Sequence, residues 1–307
     1  MRKCAVFCSQ GIGDGLLFCL LSHNLQQIGF QVDTYHNLLP ELQEFLPGFS
    51  LKKNVSDEEF YSLCSSYEKV FINLDSQNDK RARWAKEKFP HSVYLLKPTT
   101  CKGKNIYREG FLDPKKTVAE NLFSFCRDIL FLPKVEKNCG MVAPSSLSYR
   151  KYKKRIAIHP TSRDLSRNWP VQKFYQLKIA LETKGYEVVF IVSPKEAQVW
   201  KAPYFASLHE TASFLYESGY FIGNDSGIGH LASSLQIPTL TIFSSRRKEP
   251  FWRPDWTIGK TIKPSFWIPN IKGFRLQEKL GSSCISVKEV CRGFSQLQAL
   301  TQEGFLL

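Results

Sequence analysis

Twice in this chain a short apolar segment runs into a glycine-marked turn and then into a helical segment. The first apolar segment is residues 4–8, followed by Gly11 and Gly13, and the second is residues 220–222, followed by Gly227 and Gly229. A buried strand that leads directly into a helix is typical of parallel sheets, whose faces are covered by helices. The feature therefore predicts an α/β fold with ligand sites at the carboxyl ends of its strands.

The rest of the chain continues this alternation of apolar strands and amphipathic helices. Strands are predicted at residues 4–8, 30–35, 70–74, 92–95, 155–159, 187–192, 220–222 and 239–243. Helices are predicted at residues 15–28, 56–65, 117–131, 171–184, 210–217, 228–235 and 287–300. Both halves contain strands and helices, so the pattern predicts one open parallel sheet in each half.

The alternation breaks between residues 133 and 154, a segment with Gly140, Pro144 and a basic run that begins at Arg150. Such glycine, proline and serine clusters mark connections, and we place the linker there. We predict an N-terminal domain of residues 1–148 and a C-terminal domain of residues 149–307, a division that suits the length of the chain. The basic run is expected to form a solvated face.

The net charge of +14 favours anionic partners such as phosphates and acidic glycans. No recognition helix, RRM or zinc-finger pattern accompanies this charge, and we therefore predict that nucleic acid is not a partner. The 9 cysteines contain no C-x-x-C pair, which suits free thiols in a reducing compartment and argues against structural zinc. No long apolar run or export signal is recognisable, so the sequence predicts a soluble, cytoplasmic protein.

The first glycine-marked turn is similar to the start of a dinucleotide-binding fingerprint. Gly11 and Gly13 occupy its first two glycine positions, and Asp33 ends the second predicted strand, where a ribose-binding acid would lie. Leu16 occupies the third glycine position, which weakens that interpretation. Asp14 also opposes it, because a carboxylate would repel a phosphate held in the turn. Asp14 suits a catalytic base better.

A second polar segment leaves the strand at residues 155–159 and enters the helix near Val171. It contains Thr161, Ser162, Arg163 and Arg167, whose hydroxyl and guanidinium groups are good ligands for phosphate oxygens. Capping of the next helix by the two hydroxyls is the structural alternative.

The second glycine-marked turn begins with Asp225 and Ser226. The helix after it would present bare backbone N–H groups, which bind anions. In the structural alternative Asp225 or Ser226 is an ordinary N-cap and His230 is a core histidine.

These motifs together resemble those of glycosyltransferase family 9, the ADP-heptose:lipopolysaccharide heptosyltransferases, over most of the chain. The resemblance rests on the early G-x-G-D, on the loop from Thr161 to Pro170, and on the D-[ST]-G-x-x-H pattern that ends at His230. It implies two Rossmann-like domains facing a cleft, the glycosyltransferase B architecture, with the acceptor bound by the first domain and the nucleotide sugar by the second.

The resemblance also implies roles for individual residues. Asp14 would be the catalytic base of an inverting transfer, and Gly11 and Gly13 would form the acceptor-side loop. The donor would be bound by Thr161, Ser162, Arg163, Arg167, Glu196, Asp225, Ser226, Gly227, Ile228 and His230. Asp225 could instead organise the turn, and His230 could pack the helix. No cofactor or metal is expected, because no D-x-D pair is placed to bind one.

The implied reaction moves heptose from ADP-heptose to a lipopolysaccharide core-type acceptor. The expected partners are a nucleotide-sugar donor and an anionic glycolipid, with a monomeric enzyme in peripheral contact with the cytoplasmic face of the inner membrane. Two alternatives stay open at this point: an NAD-dependent oxidoreductase that uses Gly11, Gly13 and Asp33, and a non-catalytic protein that binds a sugar nucleotide or an anionic glycan.

Overall fold

The computed structural model describes residues 2–74, 79–96, 112–165, 168–265 and 281–304. The chain folds into two compact units, Met1–Val142 and Ala143–Leu307, here called unit 1 and unit 2. Each unit holds one five-stranded sheet whose neighbouring strands are all parallel. The predicted α/β fold with two Rossmann-like sheets is therefore confirmed.

Unit 1 alternates strands and helices from its first residues. Its strands are β1 Lys3–Phe7, β2 Gln31–Tyr35, β3 Ser50–Lys52, β4 Lys69–Asn73 and β5 Val93–Leu96. Its α-helices are α1 Ile12–Gln27, α2 Asp57–Cys64, α3 Lys80–Lys88 and α4 Val118–Ser124, with a 3₁₀-helix at Leu39–Phe45 and a π-helix at Phe125–Ile129. The strands lie in the order β3-β2-β1-β4-β5.

The central strand and first helix of unit 1 are buried because their sequences are apolar on every side. In β1, Cys4, Ala5 and Val6 are fully buried, as expected for a strand covered on both faces. The run Leu16–Leu21 lies within α1, and its side chains are buried all around the helix. This apolar run therefore forms part of the core of unit 1.

Unit 2 repeats the plan with a different strand order. Its strands are β6 Tyr152–His159, β7 Glu187–Phe190, β8 Ser218–Asn224, β9 Thr239–Ile242 and β10 Gly259–Ile262. Its α-helices are α5 Val171–Glu182, α6 Ala197–Trp200, α7 Leu208–Glu217, α8 Gly227–Ser234, α9 Glu249–Trp252 and α10 Val287–Gly304, with a 3₁₀-helix at Ser282–Cys284. The strands lie in the order β10-β9-β8-β6-β7.

The core of unit 2 is built from the strands and from one face of α5 and α10. Phe174, Leu177 and Leu181 are buried at helical spacing on α5, and Val290 and Phe294 are buried on α10. They pack with β-strand side chains in one continuous apolar cluster. This cluster holds the sheet beneath the loops that leave its carboxyl edge.

The structure differs from the predicted elements at the sheet edges and in three helices, α3, α6 and α9, which were not predicted. Strands β3 and β10 were not predicted, and β6 begins at Tyr152, inside the predicted linker. Arg150 was expected on a solvated face, but it is buried, with its Nε donating to the carbonyl of Gly219 at 2.9 Å and its guanidinium over the ring of Tyr220. The expectation for Arg150 was wrong because the alkyl stem and the planar guanidinium fill a space beside β8.

Candidate active site

The sheet of unit 2 contains a switch point between β6 and β8. β6 pairs with both β7 and β8, so the chain builds the sheet first on one side of β6 and then on the other. Loops diverge at such a point and leave a crevice in which α/β proteins bind ligands. His159 ends β6 opposite Gly223 of β8. The β6–α5 loop, residues 160–170, and the turn into α8 therefore start side by side.

The first turn of α8 has the features of an anion-binding helix end. Ser226 is the N-cap residue, yet its side chain makes no capping hydrogen bond, and its buried Oγ has no hydrogen-bond partner among the described residues. Gly227 and Ile228 are the first two helical residues, whose N–H groups precede the first carbonyl of the helix. All three residues are half-buried. The site lacks the ordinary serine cap of the structural alternative.

The two polar side chains that flank this turn are buried. His230 is 5% exposed, and its Nδ1 has no hydrogen-bond partner among the described residues. Burial lowers the pKa of His230 to about 4, although a hydrogen bond with the backbone of Trp252 opposes the shift. The imidazole is therefore neutral near neutral pH and offers no positive charge to a phosphate. Asp225 lies buried at the end of β8, and its N–H donates to the carbonyl of Ile242.

The β6–α5 loop places its hydroxyl groups at the same edge of the sheet. The Thr161 hydroxyl donates to Glu196 Oε2 at 3.4 Å, and the Ser162 hydroxyl contacts the carbonyl of Asp164 and Asn168 Oδ1, both at 2.8 Å. Arg163 is exposed. Arg167, a predicted donor ligand, lies outside the described residues. The structure thus brings Thr161 and Glu196 together, while Ser162 is engaged within its own loop.

Glu196 follows β7 and is held in place by Ser193. The backbone N–H and the hydroxyl of Ser193 donate to Glu196 Oε2 at 3.2 and 2.6 Å. Beside it, His159 Nδ1 donates to the carbonyl of Ile191 at 2.6 Å, and burial lowers the pKa of His159. The carboxylate therefore lies at the carboxyl edge of β7, next to the hydroxyl at the end of β6.

Two asparagines at this edge were not assigned a role from the sequence. Asn224, the last residue of β8, is fully buried and hydrogen-bonds to both ends of the β6–α5 loop. Asn168 accepts from Ser162 and lies 3.4 Å from the amide of Asn224. The sequence contains one indication of the role of Asn224: its amide ends an otherwise apolar buried strand. An unpaired polar group is costly there, so the amide needs hydrogen-bond partners.

In unit 1 the glycine-marked turn is the start of a helix. α1 begins at Ile12, so Gly11 is the N-cap, Gly13 is buried and Asp14 lies in the first helical turn. The predicted start at residue 15, which left Asp14 in a loop, was wrong. A Cβ on Gly11 would lie 2.8 Å from Asp14 Oδ2, so the carboxylate folds back over the N-cap. The helix macrodipole favours a negative charge there.

A cavity of about 210 Å³ opens at the carboxyl edge of the unit 1 sheet. It is lined by the ends of β1 and β4, which flank the switch point of this sheet. Asn73 is buried on its wall; its amide donates to the Ser9 hydroxyl at 3.1 Å, and its Oδ1 has no partner among the described residues. Arg81 and Gln10 also line the cavity. A hydroxyl-bearing ligand would complete the hydrogen bonding of Asn73.

Asp33 does not have the environment of a ribose-binding acid. Its carboxylate accepts from the Ser50 hydroxyl at 2.6 Å, from Lys52 Nζ at 2.8 Å and from the Tyr67 hydroxyl at 2.7 Å. Burial alone would raise the pKa of Asp33, but these hydrogen bonds outweigh it and hold that pKa below its ordinary value. Asp33 is a structural carboxylate, and the oxidoreductase alternative has no support.

Other chemical features are limited in the part of the chain that the structure describes. There, no group of three or more His, Cys, Asp or Glu side chains is placed to hold a metal ion. Within the same ranges no helix is both long and apolar enough to cross a membrane. The described cysteines are free, and most of them are buried.

Comparison with known proteins gives the same family as the motifs. Residues 133–262 match the profile of glycosyltransferase family 9 (heptosyltransferase). Lipopolysaccharide heptosyltransferase 3 of Escherichia coli (strain K12) is 29% identical over an alignment of 140 residues, and the match covers 41% of this chain and 39% of that protein. The matched regions cover from 33% to 52% of the lengths of the curated relatives.

Solved structures are similar over almost the entire chain. The glycosyltransferase family 9 protein of Veillonella parvula DSM 2008 has a TM-score of 0.71 at 16% identity, covering 96% of this chain and 97% of that one. The ADP-heptose lipopolysaccharide heptosyltransferase II of E. coli has a TM-score of 0.67 at 16% identity, covering 98% of this chain and 100% of that one. The resemblance predicted from the three motifs is therefore confirmed: residues 133–262 carry the sequence pattern of glycosyltransferase family 9, and the chain has the fold of solved proteins of that family.

Proposed function

We propose that this protein is an inverting glycosyltransferase that moves heptose from ADP-heptose to a lipopolysaccharide core-type acceptor. The observation that carries the proposal is the switch point of unit 2, where the open first turn of α8 starts beside the loop that bears Thr161. Similarity to proteins named lipopolysaccharide heptosyltransferase and ADP-heptose heptosyltransferase supports the choice of sugar and nucleotide.

In this proposal the donor diphosphate is bound by unit 2. The N–H groups of Gly227 and Ile228 and the hydroxyl of Ser226 donate to phosphate oxygens, which gives the unpartnered Oγ of Ser226 a ligand. Thr161 donates to a phosphate from the other side of the switch point, and Glu196 accepts from the ribose hydroxyls. Asp225 and the neutral His230 support the turn from beneath.

The reaction is a single displacement at the anomeric carbon. Asp14 takes the proton of the acceptor hydroxyl, the acceptor oxygen forms a bond to the anomeric carbon, and the bond from that carbon to the phosphate oxygen breaks. The electron pair of the broken bond leaves with ADP, and the configuration at the anomeric carbon inverts. On the acceptor side, Gly11 at the N-cap of α1 leaves room for the Asp14 carboxylate, and Gly13 lies beside Asp14 in the first helical turn.

Stabilisation of the leaving diphosphate is the main electrostatic task, because its negative charge grows in the transition state. The end of a helix contributes about 0.3–1 kcal/mol, or up to ~2 when partly buried. A guanidinium at ~4 Å contributes about 4 kcal/mol at an effective dielectric constant near 20. We therefore assign the larger effect on rate to the guanidinium groups of Arg163 and Arg167, which also make a metal unnecessary.

The cavity in unit 1 suits a hydroxyl-rich, acidic acceptor. The carbonyl oxygen of the Asn73 amide accepts a hydrogen bond from a sugar hydroxyl. Arg81, whose Nε lies 3.5 Å from Asp57 Oδ1, adds a positive charge to a lining that also contains Asp79.

The remaining features of the proposal concern the whole protein. Residues 1–148 would be the acceptor-binding domain and residues 149–307 the nucleotide-sugar-binding domain. The enzyme would be a cytoplasmic monomer that touches the inner membrane only peripherally. Light scattering of the purified protein measures the oligomeric state, and fractionation of cells measures the location.

A thermal-shift screen followed by a transfer assay tests the proposed function. Ligands that bind the native state raise its apparent stability, so ADP and ADP-heptose should raise the Tm more than UDP, GDP or NAD. Incubation with ADP-heptose and a lipopolysaccharide core acceptor should then release ADP. Stabilisation by ADP without turnover on any acceptor would instead identify a binding protein, and preferential stabilisation by NAD would overturn the proposal.

A further inference from the structure

We infer that Asn224 is a positioning residue that holds the β6–α5 loop in the shape required for binding the donor diphosphate. The inference rests on the proposed donor site, because it assigns to Asn224 an effect on that site without direct contact with the ligand. Asn224 is the last residue of β8 and is 0% exposed. It lies directly before Asp225 and the first turn of α8.

The carboxamide of Asn224 binds both ends of the loop. Its Nδ2 donates to the carbonyl of Pro160 at 2.6 Å, and its Oδ1 accepts from the N–H of Trp169 at 3.0 Å. Pro160 is the first residue after β6, and the Trp169 side chain is anchored in the core with its Nε1 donating to the carbonyl of Ile285. One side chain therefore connects β8 to the point where the loop leaves the sheet and to the point where it returns.

The same amide extends into the loop through a second asparagine. Asn224 Nδ2 lies 3.4 Å from Asn168 Oδ1, which accepts from the Ser162 hydroxyl at 2.8 Å. Thr161 and Ser162 thus lie between two backbone groups that are both bound to Asn224. A loop fixed before the ligand arrives does not have to be ordered during binding, which is why preorganisation increases affinity.

Only a side chain with one donor and one acceptor at this spacing satisfies both backbone groups. Alanine leaves the carbonyl of Pro160 and the N–H of Trp169 unpaired in a buried place. Aspartate has nearly the same shape, but its ionised form only accepts. Its protonated form has an O–H that can donate to Pro160 while the other oxygen accepts from Trp169. Asn224→Asp should therefore recover function as its carboxyl group takes up a proton.

The experiment compares Asn224→Ala with Asn24→Ala in the full-length protein. Asn24 is a matched control, because it is also buried and binds a distant segment of unit 1: its Nδ2 donates to the carbonyl of Glu136 at 2.9 Å, and its Oδ1 accepts from the N–H of Glu136 at 2.7 Å. Both variants should lower the Tm. Only Asn224→Ala should weaken ADP binding, by about tenfold or more in calorimetric titration, because only its loop contacts the donor.

A second readout needs no nucleotide. Arg163 is exposed within the loop, so trypsin cleavage after Arg163, followed by mass spectrometry, reports how well the loop is held. Cleavage of the free protein should be faster in Asn224→Ala than in the wild type, and unchanged in Asn24→Ala. If the wild type does not bind ADP, the proposed donor is wrong, and the cleavage rates still decide the role of Asn224.

The conservative variant Asn224→Asp provides a third measurement. ADP affinity of Asn224→Asp relative to the wild type, measured at each pH, should rise as the pH falls. Equal losses of ADP affinity in Asn224→Ala and Asn24→Ala, or equal cleavage rates after Arg163 in Asn224→Ala and wild type, would overturn the inference. A pH-independent ratio for Asn224→Asp would also count against it, since a role in packing alone does not depend on the proton.

Discussion

Asp14 is the residue on which the proposed chemistry depends most directly. Asp14→Asn keeps the size and polarity of the side chain but removes its ability to accept the acceptor proton. We expect transfer to fall by about 10²–10⁴-fold, with ADP binding nearly unchanged. Product formation measured by mass spectrometry and ADP binding measured by calorimetry separate the two effects. Asp128→Asn, at an exposed position of the same unit, is the control. Unchanged turnover in Asp14→Asn would remove Asp14 as the base.

His230 makes the stability of the protein depend on pH in a defined direction. Its pKa falls from 6.5 to about 4 on folding, so between these values the unfolded chain binds a proton that the folded chain does not. The free energy of unfolding therefore decreases as the pH falls through this range, by roughly 3 kcal/mol in total. His159 also makes the free energy of unfolding decrease as the pH falls, because burial lowers its pKa too.

His230→Gln should remove the His230 part of this dependence, since glutamine does not titrate. Urea unfolding at several pH values measures the slope, and His91→Gln, at an exposed histidine, is the control. A wild-type slope retained in His230→Gln would mean that the imidazole is charged in the folded protein.

At the scale of elements, the first turn of α1 places the proposed base, Asp14, against Gly11. A Cβ at position 11 would lie 2.8 Å from Asp14 Oδ2, the flexible end of a side chain. Gly11→Ala should therefore cost less than about 1 kcal/mol of stability, because the carboxylate can move aside. The same movement displaces the base, and we expect kcat to fall while donor binding is retained. Steady-state kinetics and urea unfolding test this. Gly29→Ala, after the end of α1, is the contrasting variant: Gly29 has a φ of +86°, so this variant should lose stability without a loss of kcat.

Replacing the N-cap serine of α8 with alanine should change stability less than the same replacement at an ordinary helix cap. An N-cap serine replaced by alanine usually costs about 1 kcal/mol. The Ser226 side chain makes no capping hydrogen bond, so Ser226→Ala should leave the free energy of unfolding within about 0.5 kcal/mol of the wild type. ADP affinity should decrease, because in the proposed donor site this hydroxyl donates a hydrogen bond to a phosphate oxygen. Ser56→Ala in the capping box of α2 is the matched control and should lose stability without loss of ADP binding.

Element positions were predictable where the sequence is strongly patterned. The apolar segment of β1 and the helical spacing of Phe174, Leu177 and Leu181 on α5 identify buried faces without tertiary information. β3 and β10 are short edge strands with few buried side chains, so they lack such a pattern. The start of α1 was missed because its first turn contains two glycines and an aspartate, which also suit a loop.

The site was predictable only in part, for a reason that applies to the whole molecule. The carboxyl ends of parallel strands lie at one edge, which places Thr161 and Ser226 there from the order of elements alone. Hydrogen-bond partners do not follow from this order. The three donors to Asp33 come from β3 and from Tyr67, and Asn224 binds residues far away in the sequence. Such hydrogen-bonded pairs depend on how the elements pack against one another, and no local sequence pattern predicts them.

The charge of the whole molecule leads to a prediction about membranes. With a net charge of +14, the protein should bind vesicles of phosphatidylglycerol, which are anionic, and should not bind vesicles of phosphatidylcholine, which carry no net charge. Binding should weaken as salt is added, because the screening length falls from about 10 Å at ~0.1 M to ~3 Å at 1 M. Cosedimentation at increasing salt measures this. Equal, salt-independent binding to both lipids would contradict an electrostatic contact.

The connection from Asn224 to Pro160 also has a consequence for the order of folding. The two residues are 64 positions apart, and the β6–α5 loop is fastened only when β8 has paired with β6. A growing polypeptide on the ribosome therefore has Thr161 and Ser162 long before it has the residue that fixes them. Closing so long a segment is slow compared with forming a local helix. Nucleotide capture should consequently appear late during refolding, after helical circular dichroism has recovered, and it can serve as a signal that the sheet of unit 2 is complete.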